Sequence, residues 1–452
     1  MSTPTKRVAF HTLGCKLNFS ETSSISRDFI HCGYEKVAFK DFADIYVINT
    51  CSVTENADKE TKKLIRRTKR INPDSFIVLI GCYAQLKPDE LISLDGVNMV
   101  VGAEEKFNLL DHLDKIDLKT NKKLMLNSDI KETKTFKPSY SYNDRTRSFL
   151  KVQDGCDYHC TFCTIPIARG ISRSGTIEKT MKIAEKIAQT DTKEIVLTGV
   201  NIGDFGAGSS ESFFDLIKRM DMLNGIDRIR ISSIEPNLLS DEIIKFCSNS
   251  KKFMPHFHVP LQSGSNKILR SMGRRYNKSD FANRIKKIKS LIPEACIGVD
   301  VIVGFPTETE KDFMETYDLI DQLEISYLHV FTYSERTKTK ALQLKPIVSR
   351  EKRVDRSRRL HELSDKKRKF FYDRFIGEAK YALFESIKNG DLVGHGAGWA
   401  KQRIRQSQGV GGQSLQICNG GILARTKSGG PFRRLYHCSD HFGRRASYKI
   451  RP

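Results

Sequence analysis

Three apolar runs near the start of the chain each stop at a cysteine, and this arrangement limits the fold more than any other feature. Arg7-Val8-Ala9-Phe10-His11-Thr12-Leu13 leads into Gly14-Cys15, Asp44-Ile45-Tyr46-Val47-Ile48-Asn49-Thr50 into Cys51, and Ser75-Phe76-Ile77-Val78-Leu79-Ile80-Gly81 into Cys82. Between them lie helical patterns, Glu21 to Cys32 closed by Gly33 and Ala57 to Ile71 closed by Asn72-Pro73. Strand and helix alternating in this way predict an open parallel α/β sheet, whose ligands sit beyond the carboxyl ends of the strands. The three thiols are expected to converge there, as protein ligands of an iron-sulfur cluster with one open iron. Three buried cysteines acting as small hydrophobes are the plainer alternative.

A second group is more compact: Cys156, Cys160 and Cys163 in Asp154-Gly155-Cys156-Asp157-Tyr158-His159-Cys160-Thr161-Phe162-Cys163. A cubane cluster normally takes four thiolates, so three leave one iron open to a non-protein ligand. The competing reading is a zinc site completed from afar. His159 is a poor fourth ligand because it adjoins Cys160, and structural zinc sites usually show two separated ligand pairs.

After this group, strand and helix alternate again. Strands are expected at Phe149-Val152, Glu194-Thr198, Arg228-Ser232, His256-Pro260, Ile297-Val303 and Tyr327-Thr332, with helices such as Ile177 to Gln189, Ser212 to Leu223 and Lys278 to Leu291. Six such units suit a partial, open barrel, and barrel enzymes carry their sites on the loops after the strands. The Cys156 group follows the first strand. The expected organisation is a mixed α/β chain: an α/β domain at 1–115, a link at 116–148, the partial barrel at 149–345, a basic helix at 346–378, and a small or degenerate β region at 379–452.

The phrases Thr12-Leu13-Gly14-Cys15-Lys16-Leu17-Asn18, Asn49-Thr50-Cys51-Ser52-Val53-Thr54 and Gly81-Cys82-Tyr83-Ala84-Gln85, joined to the Cys156 group, resemble the radical S-adenosylmethionine (SAM) methylthiotransferase family from about Lys6 to Glu385. The resemblance implies two [4Fe-4S] clusters, one on Cys156, Cys160 and Cys163 that cleaves SAM, and an auxiliary one on Cys15, Cys51 and Cys82 that handles sulfur. It implies that Phe162 packs beside the adenine and that the loops carrying Gly199, Asn201, Ser233, Glu235 and Gln262 meet SAM. Turn formation and helix capping are the alternative for those polar residues. Lys16 and the Thr50–Thr54 phrase look most like the branch that acts on N6-threonylcarbamoyladenosine beside the tRNA anticodon. Sister branches act on isopentenyladenosine in tRNA or on an aspartate of a ribosomal protein. The implied partners are tRNA and a low-potential electron donor of the flavodoxin or ferredoxin type.

Composition agrees with these expectations. No apolar run approaches the length of about 20 residues that a membrane helix needs, and the N-terminus lacks a secretory apolar region, so a cytoplasmic protein is expected. Eleven cysteines in this pattern imply a reducing compartment rather than disulfides. Cys32, Cys247 and Cys296 are expected to be packing residues.

The formal charge of +22 suits a nucleic-acid partner. It divides unevenly: residues 392–452 hold 11 Lys and Arg against Asp440 alone, the rest 65 against 53 acids. A basic stretch from Ser349 to Lys369 reads as a long helix, either touching phosphates or simply solvated. Members of the resembled family end in a small RNA-binding β-barrel, for which Tyr381–Ser386 could be the first strand. After about Leu392 the chain turns Gly-rich and acid-poor with no long alternation, as in a disordered basic tail or a frameshifted barrel. A non-catalytic, metal-stabilised RNA-binding protein is the reading from a different functional class.

Overall fold

The computed structural model describes residues 5–52, 55–118, 122–142 and 146–376, together with the backbone of 380–388, 391–396, 401–405, 415–418, 421–424 and 433–436. The chain opens with β1 (Arg7–Thr12), α1 (Lys16–His31), β2 (Glu35–Val37), β3 (Ile45–Thr50), α2 (Glu55–Ile71), β4 (Phe76–Gly81), α3 (Cys82–Leu86), α4 (Pro88–Ser93), β5 (Met99–Val101), α5 (Leu109–Leu113) and β6 (Leu124–Leu126). Its six strands form one parallel sheet in the order β2-β1-β3-β4-β5-β6. Every residue of β3 and β4 is buried, as central strands covered on both faces require. One face packs Val8, Phe29, Val47 and Val78, the other Ile48, Leu64, Ile77 and Leu79.

The segment 116–148, expected as a polar link, supplies strands to both neighbours. β6 extends the first sheet, and β7 (Ser139–Tyr140) pairs antiparallel with the first barrel strand.

The second unit comprises β8 (Arg147–Lys151), β9 (Gln153–Asp154), α6 (Ile165–Arg169), β10 (Arg173–Ser174), α7 (Ile177–Ala188), β11 (Glu194–Thr198), α8 (Phe213–Asp221), β12 (Arg228–Ile231), α9 (Asp241–Asn249), β13 (His256–His258), α10 (Asn266–Ser271), α11 (Lys278–Leu291), β14 (Cys296–Val303), α12 (Glu310–Gln322) and β15 (Tyr327–Thr332). β8, β11 and β12 run parallel, as do β13, β14 and β15, and the bridges Ile229–Phe253 and Ser233–His258 join the two halves. The result is an open arc of six parallel strands. Its edges are covered by β7 and by α13 (Arg350–Asp373), which packs on β15. Asn277 and Thr309 begin α11 and α12 with reciprocal capping boxes, fixing where the loops before them end.

The basic helix α13 is partly turned inward. Arg353 pairs with Glu335, and Arg356 with Glu308 and Glu310, so these two cations anchor the helix to the barrel rather than facing RNA. Arg350, Lys352, Lys366 and Lys369 are exposed.

Beyond it, β16 (Lys380–Lys388), β17 (Asp391–Gly396), β18 (Lys401–Arg405), β19 (Leu415–Cys418), β20 (Gly421–Ala424) and β21 (Arg433–Tyr436) form an antiparallel sheet in the order β18-β17-β16-β19-β20-β21. Strand backbone therefore continues past Leu392, where no alternation was legible. Strands of four to six residues show too few side chains to establish a period of two. Residues 437–452, with Cys438, lie outside the described residues. Of the cysteines expected to pack, Cys247 and Cys296 are buried; Cys32 is exposed, because α1 ends at His31 and leaves it in the capping turn.

Candidate active site

The three cysteines of the first sheet stand at adjacent strand ends, after β1, β3 and β4. One amide ties two of these ends together. Asn18 Nδ2 donates to the carbonyls of Leu13 at 2.9 Å and Thr50 at 3.2 Å, beside Cys15 and Cys51. The Thr50 hydroxyl then donates to the Ile80 carbonyl at 2.6 Å and accepts from the Ala84 amide at 3.2 Å, bracketing Cys82. Gly14, at φ +94°, lets the chain pass close to Cys51: a Cβ there would lie 2.8 Å from its sulfur. Val53 and Thr54 of the second phrase lie outside the described residues.

Cys51 and Cys82 are buried, whereas Cys15 is exposed. Desolvation still leads the upward shift of the Cys15 thiol, with the neighbouring Cys82 adding to it. The two observations agree if Cys15 lines a concave space, with protein around the sulfur and an opening before it. Three soft thiols without an intervening imidazole suit a cluster with one open iron.

The second triad is a tight loop after β9. Gly155, at φ +71°, has no room for a side chain, since a Cβ would lie 1.9 Å from the Ile171 carbonyl oxygen. The loop is closed by the Cys156 amide donating to Gly170 and the Cys163 amide donating to Cys160, both at 3.1 Å. Donors also reach the sulfurs directly: Tyr158 N–H to Cys156 and Ile165 N–H to Cys163, each at 3.4 Å, and Arg274 Nη1 to Cys160 at 3.1 Å. Such bonds stabilise thiolate and tune a cluster. Burial pushes the Cys156 and Cys163 thiols up to about 12, so near neutral pH they deprotonate only against a metal cation. The residues present fit the group expected there.

Around this loop the predicted cofactor contacts divide. Phe162 and Gln262 line one cavity of 220 Å³ with Cys163 and Arg336. Phe162 stands edge-on to Phe305 at 6.3 Å, and Gln262 takes φ +64°, a strained conformation that turns the chain into the cavity. Gly199 and Asn201 instead meet Gln153: a Cβ on Gly199 would lie 3.0 Å from Gln153 Oε1, which accepts the amides of Val200 and Asn201. Asn201 Oδ1 is buried with no hydrogen-bond partner among the described residues, consistent with a polar ligand at that point. Glu235 is paired with Arg274 and so supports the Cys160 donor. Ser233 is half-buried and joins β12 to β13 through its backbone.

The two triads are brought together by residues that no motif announced. α3, which starts at Cys82, packs against α6, which follows Cys163. Arg169 of α6 donates to Asn18 Oδ1 at 2.5 Å and to both Glu21 oxygens, at 3.1 and 3.2 Å. Arg336, in the loop after β15, donates to Asp58 of α2 at 2.6 Å, a second tie across the same interface. The signal available for Arg169 is slight: one cation closing the apolar turn Ile165-Pro166-Ile167-Ala168.

The chain matches two family models: Uncharacterized protein family UPF0004 over residues 7–102 and the Radical SAM superfamily over residues 150–320. It is 39% identical over 421 residues to the threonylcarbamoyladenosine tRNA methylthiotransferase MtaB of Bacillus subtilis (strain 168), covering 91% of this chain and 93% of that one. It is 42% identical over 379 residues to the protein of the same name from Aquifex aeolicus (strain VF5), covering 83% and 92%. Among solved structures, the radical SAM methyltransferase TsrM from Kitasatospora setae shares the fold with a TM-score of 0.53 at 13% identity, over 72% of this chain and 73% of that one. The two relatives favour a transferase over a non-catalytic RNA-binding protein. The chain belongs to the radical SAM methylthiotransferase family, in the branch of the threonylcarbamoyladenosine tRNA methylthiotransferases.

Proposed function

We infer that this protein adds a methylthio group to C2 of N6-threonylcarbamoyladenosine beside the tRNA anticodon, with Cys156, Cys160 and Cys163 holding the SAM-cleaving cluster and Cys15, Cys51 and Cys82 the auxiliary one. The observation that carries the reading is the packing of α3 on α6, which sets the two triads on either side of one interface. The target C–H is neither acidic nor electrophilic, so a side-chain base or nucleophile has nothing to act on. When bound, the clusters and SAM supply a deoxyadenosyl radical and a methylthio sulfur. The protein's own groups orient and shield. Phe162 offers a ring face to an adenine, Gly199 and Gln262 shape the backbone around the cofactor, and Arg274 and the Tyr158 and Ile165 amides hold charge on the sulfurs. Phe305 and Tyr333 pack behind Phe162 on that side of the cavity.

The reading also comprises a first unit that continues through β6 to Leu126, the barrel at 149–345, a C-terminal unit at 379–452, a flavodoxin- or ferredoxin-type electron donor and a cytoplasmic setting. The described residues include no helix long and apolar enough to cross a membrane. Mass spectrometry of tRNA nucleosides from a strain lacking the protein tests the substrate. Loss of the methylthio derivative of threonylcarbamoyladenosine alone is expected. Loss of the isopentenyl derivative contradicts it, as does loss of the methylthio mark on a ribosomal protein aspartate in a parallel peptide digest with the tRNA nucleosides unchanged.

A further inference from the structure

Between the two triads lies a buried group of charges that does not balance. Glu21 is fully buried and meets Lys106 at 2.6 Å, Lys151 at 2.8 Å and Arg169 at 3.1 Å. Asp154 meets Lys151 at 2.6 Å and Arg169 at 3.0 Å. No side chain of this set is more than 5% exposed. Three basic side chains thus face two carboxylates, burial opposing the charge of Lys106, and Arg173, at 3.5 Å from Asp154, adds a fourth at the margin. Among the described residues no third carboxylate reaches the set. An excess charge removed from water needs an opposite charge nearby.

The position of Arg169 shows where that charge belongs. Without it, Lys106 and Lys151 would balance Glu21 and Asp154. It alone of the three cations also reaches Asn18, whose amide holds the strand ends at Cys15 and Cys51, and it rides on the helix packed against the turn at Cys82. Its other partner, Asp154, stands two residues before Cys156. Burial opposes its charge, whereas the field of Cys82, then those of Glu21 and Asp154, hold it protonated.

We propose that Arg169 is the positioning residue of the auxiliary site: its guanidinium supplies the counter-charge for a cluster held by Cys15, Cys51 and Cys82, and fixes that site against the loop of the SAM-cleaving triad. This rests on the cysteine assignment made above. A cation beside a cluster favours the reduced, more negative form, so its loss lowers the reduction potential.

The test uses full-length chain carrying Cys156→Ala, Cys160→Ala and Cys163→Ala, reconstituted anaerobically with iron and sulfide so that only the auxiliary cluster forms. If this background binds no cluster, the cysteine assignment itself fails, before Arg169 is touched. If it binds one, its midpoint potential is read by electron paramagnetic resonance during dithionite titration. Arg169→Gln is expected to disfavour reduction at least tenfold, a fall of about 59 mV for one electron, with Arg169→Lys restoring most of it. Glu21→Gln, which removes a negative charge, moves the potential upward and serves where Arg169→Gln does not fold. In the converse background, with Cys15, Cys51 and Cys82 replaced by alanine, Arg169→Gln shifts the SAM-cleaving cluster less. Unchanged auxiliary potentials in Arg169→Gln or Glu21→Gln, at full iron and sulfide content, overturn the proposal.

Discussion

The backbone of Gly14 lies against the side chain of Cys51, so closely that a Cβ at position 14 would stand 2.8 Å from the sulfur. The residue before one cysteine is thus shaped by the thiol of another, 36 positions later in the chain. Glycine also supplies the φ of +94° in the turn that leads into Cys15. Gly14→Ala combines this strain, about 1–2 kcal/mol, with displacement of the Cys51 sulfur. The variant is expected to fold, to release deoxyadenosine from SAM and to lose methylthiolation; iron analysis should show the auxiliary cluster missing. Unaltered iron content would contradict the assignment.

Arg274 touches Cys160 and Glu235 together. Replacing it with alanine removes a donor from the Cys160 sulfur and leaves the half-buried Glu235 carboxylate without its cation. Leaving a partly desolvated charge without its partner destabilises the fold. Arg274→Ala should lower the urea midpoint and reduce deoxyadenosine formation at least tenfold. Adding Glu235→Gln should recover most of the stability but not the SAM cleavage, separating the ion pair from the sulfur bond.

Phe162 shares its cavity with Cys163. On the proposed reading its ring covers a flat cofactor surface, and truncation gives up about 1–1.5 kcal/mol of stacking and burial. Phe162→Ala should weaken SAM binding about tenfold with both clusters intact, as read by SAM titration of the reduced protein. A loss of iron instead would make Phe162 a support of the cluster loop.

Glu308 gives a pH signature. Burial raises its carboxyl from 4.5 to about 7, although the Gly304 amide and Arg356 both reach it at 2.7 Å. Unfolded, the group ionises near 4.5; folded, it keeps its proton until about 7. The native chain therefore binds more protons in that window, and stability falls as pH rises through it, by up to about 3 kcal/mol. The contribution is complete below the lower value and lost above the upper one. Glu308→Gln should flatten this part of the stability-against-pH curve. An identical slope in the variant would contradict the assignment.

Much of the site was legible because it is local. Cys156, Cys160 and Cys163 occupy one short loop, and each remaining thiol follows an apolar run whose end is set by turn residues. The alternation of strand and helix was legible for the same reason, since short βα units leave few ways to lay down a parallel sheet. The ties between the units were not. Glu21 and Arg169 are 148 positions apart, and neither a glutamate on a polar helix face nor one arginine in an apolar turn reveals a partner at that distance. The inward turn of Arg353 and Arg356 was hidden in the same way, since their neighbours in the run are ordinary solvated charges. Past Leu392 the failure is one of length: strands as short as Leu415–Cys418 carry too little pattern to be read.

The most direct test counts iron and acid-labile sulfide in anaerobically reconstituted protein. Two four-iron clusters predict about eight iron atoms per chain, falling to about four when Cys15, Cys51 and Cys82 become alanine, with SAM cleavage retained and methylthiolation lost. About four in the unmodified chain, or no change on replacing those three cysteines, would contradict the account.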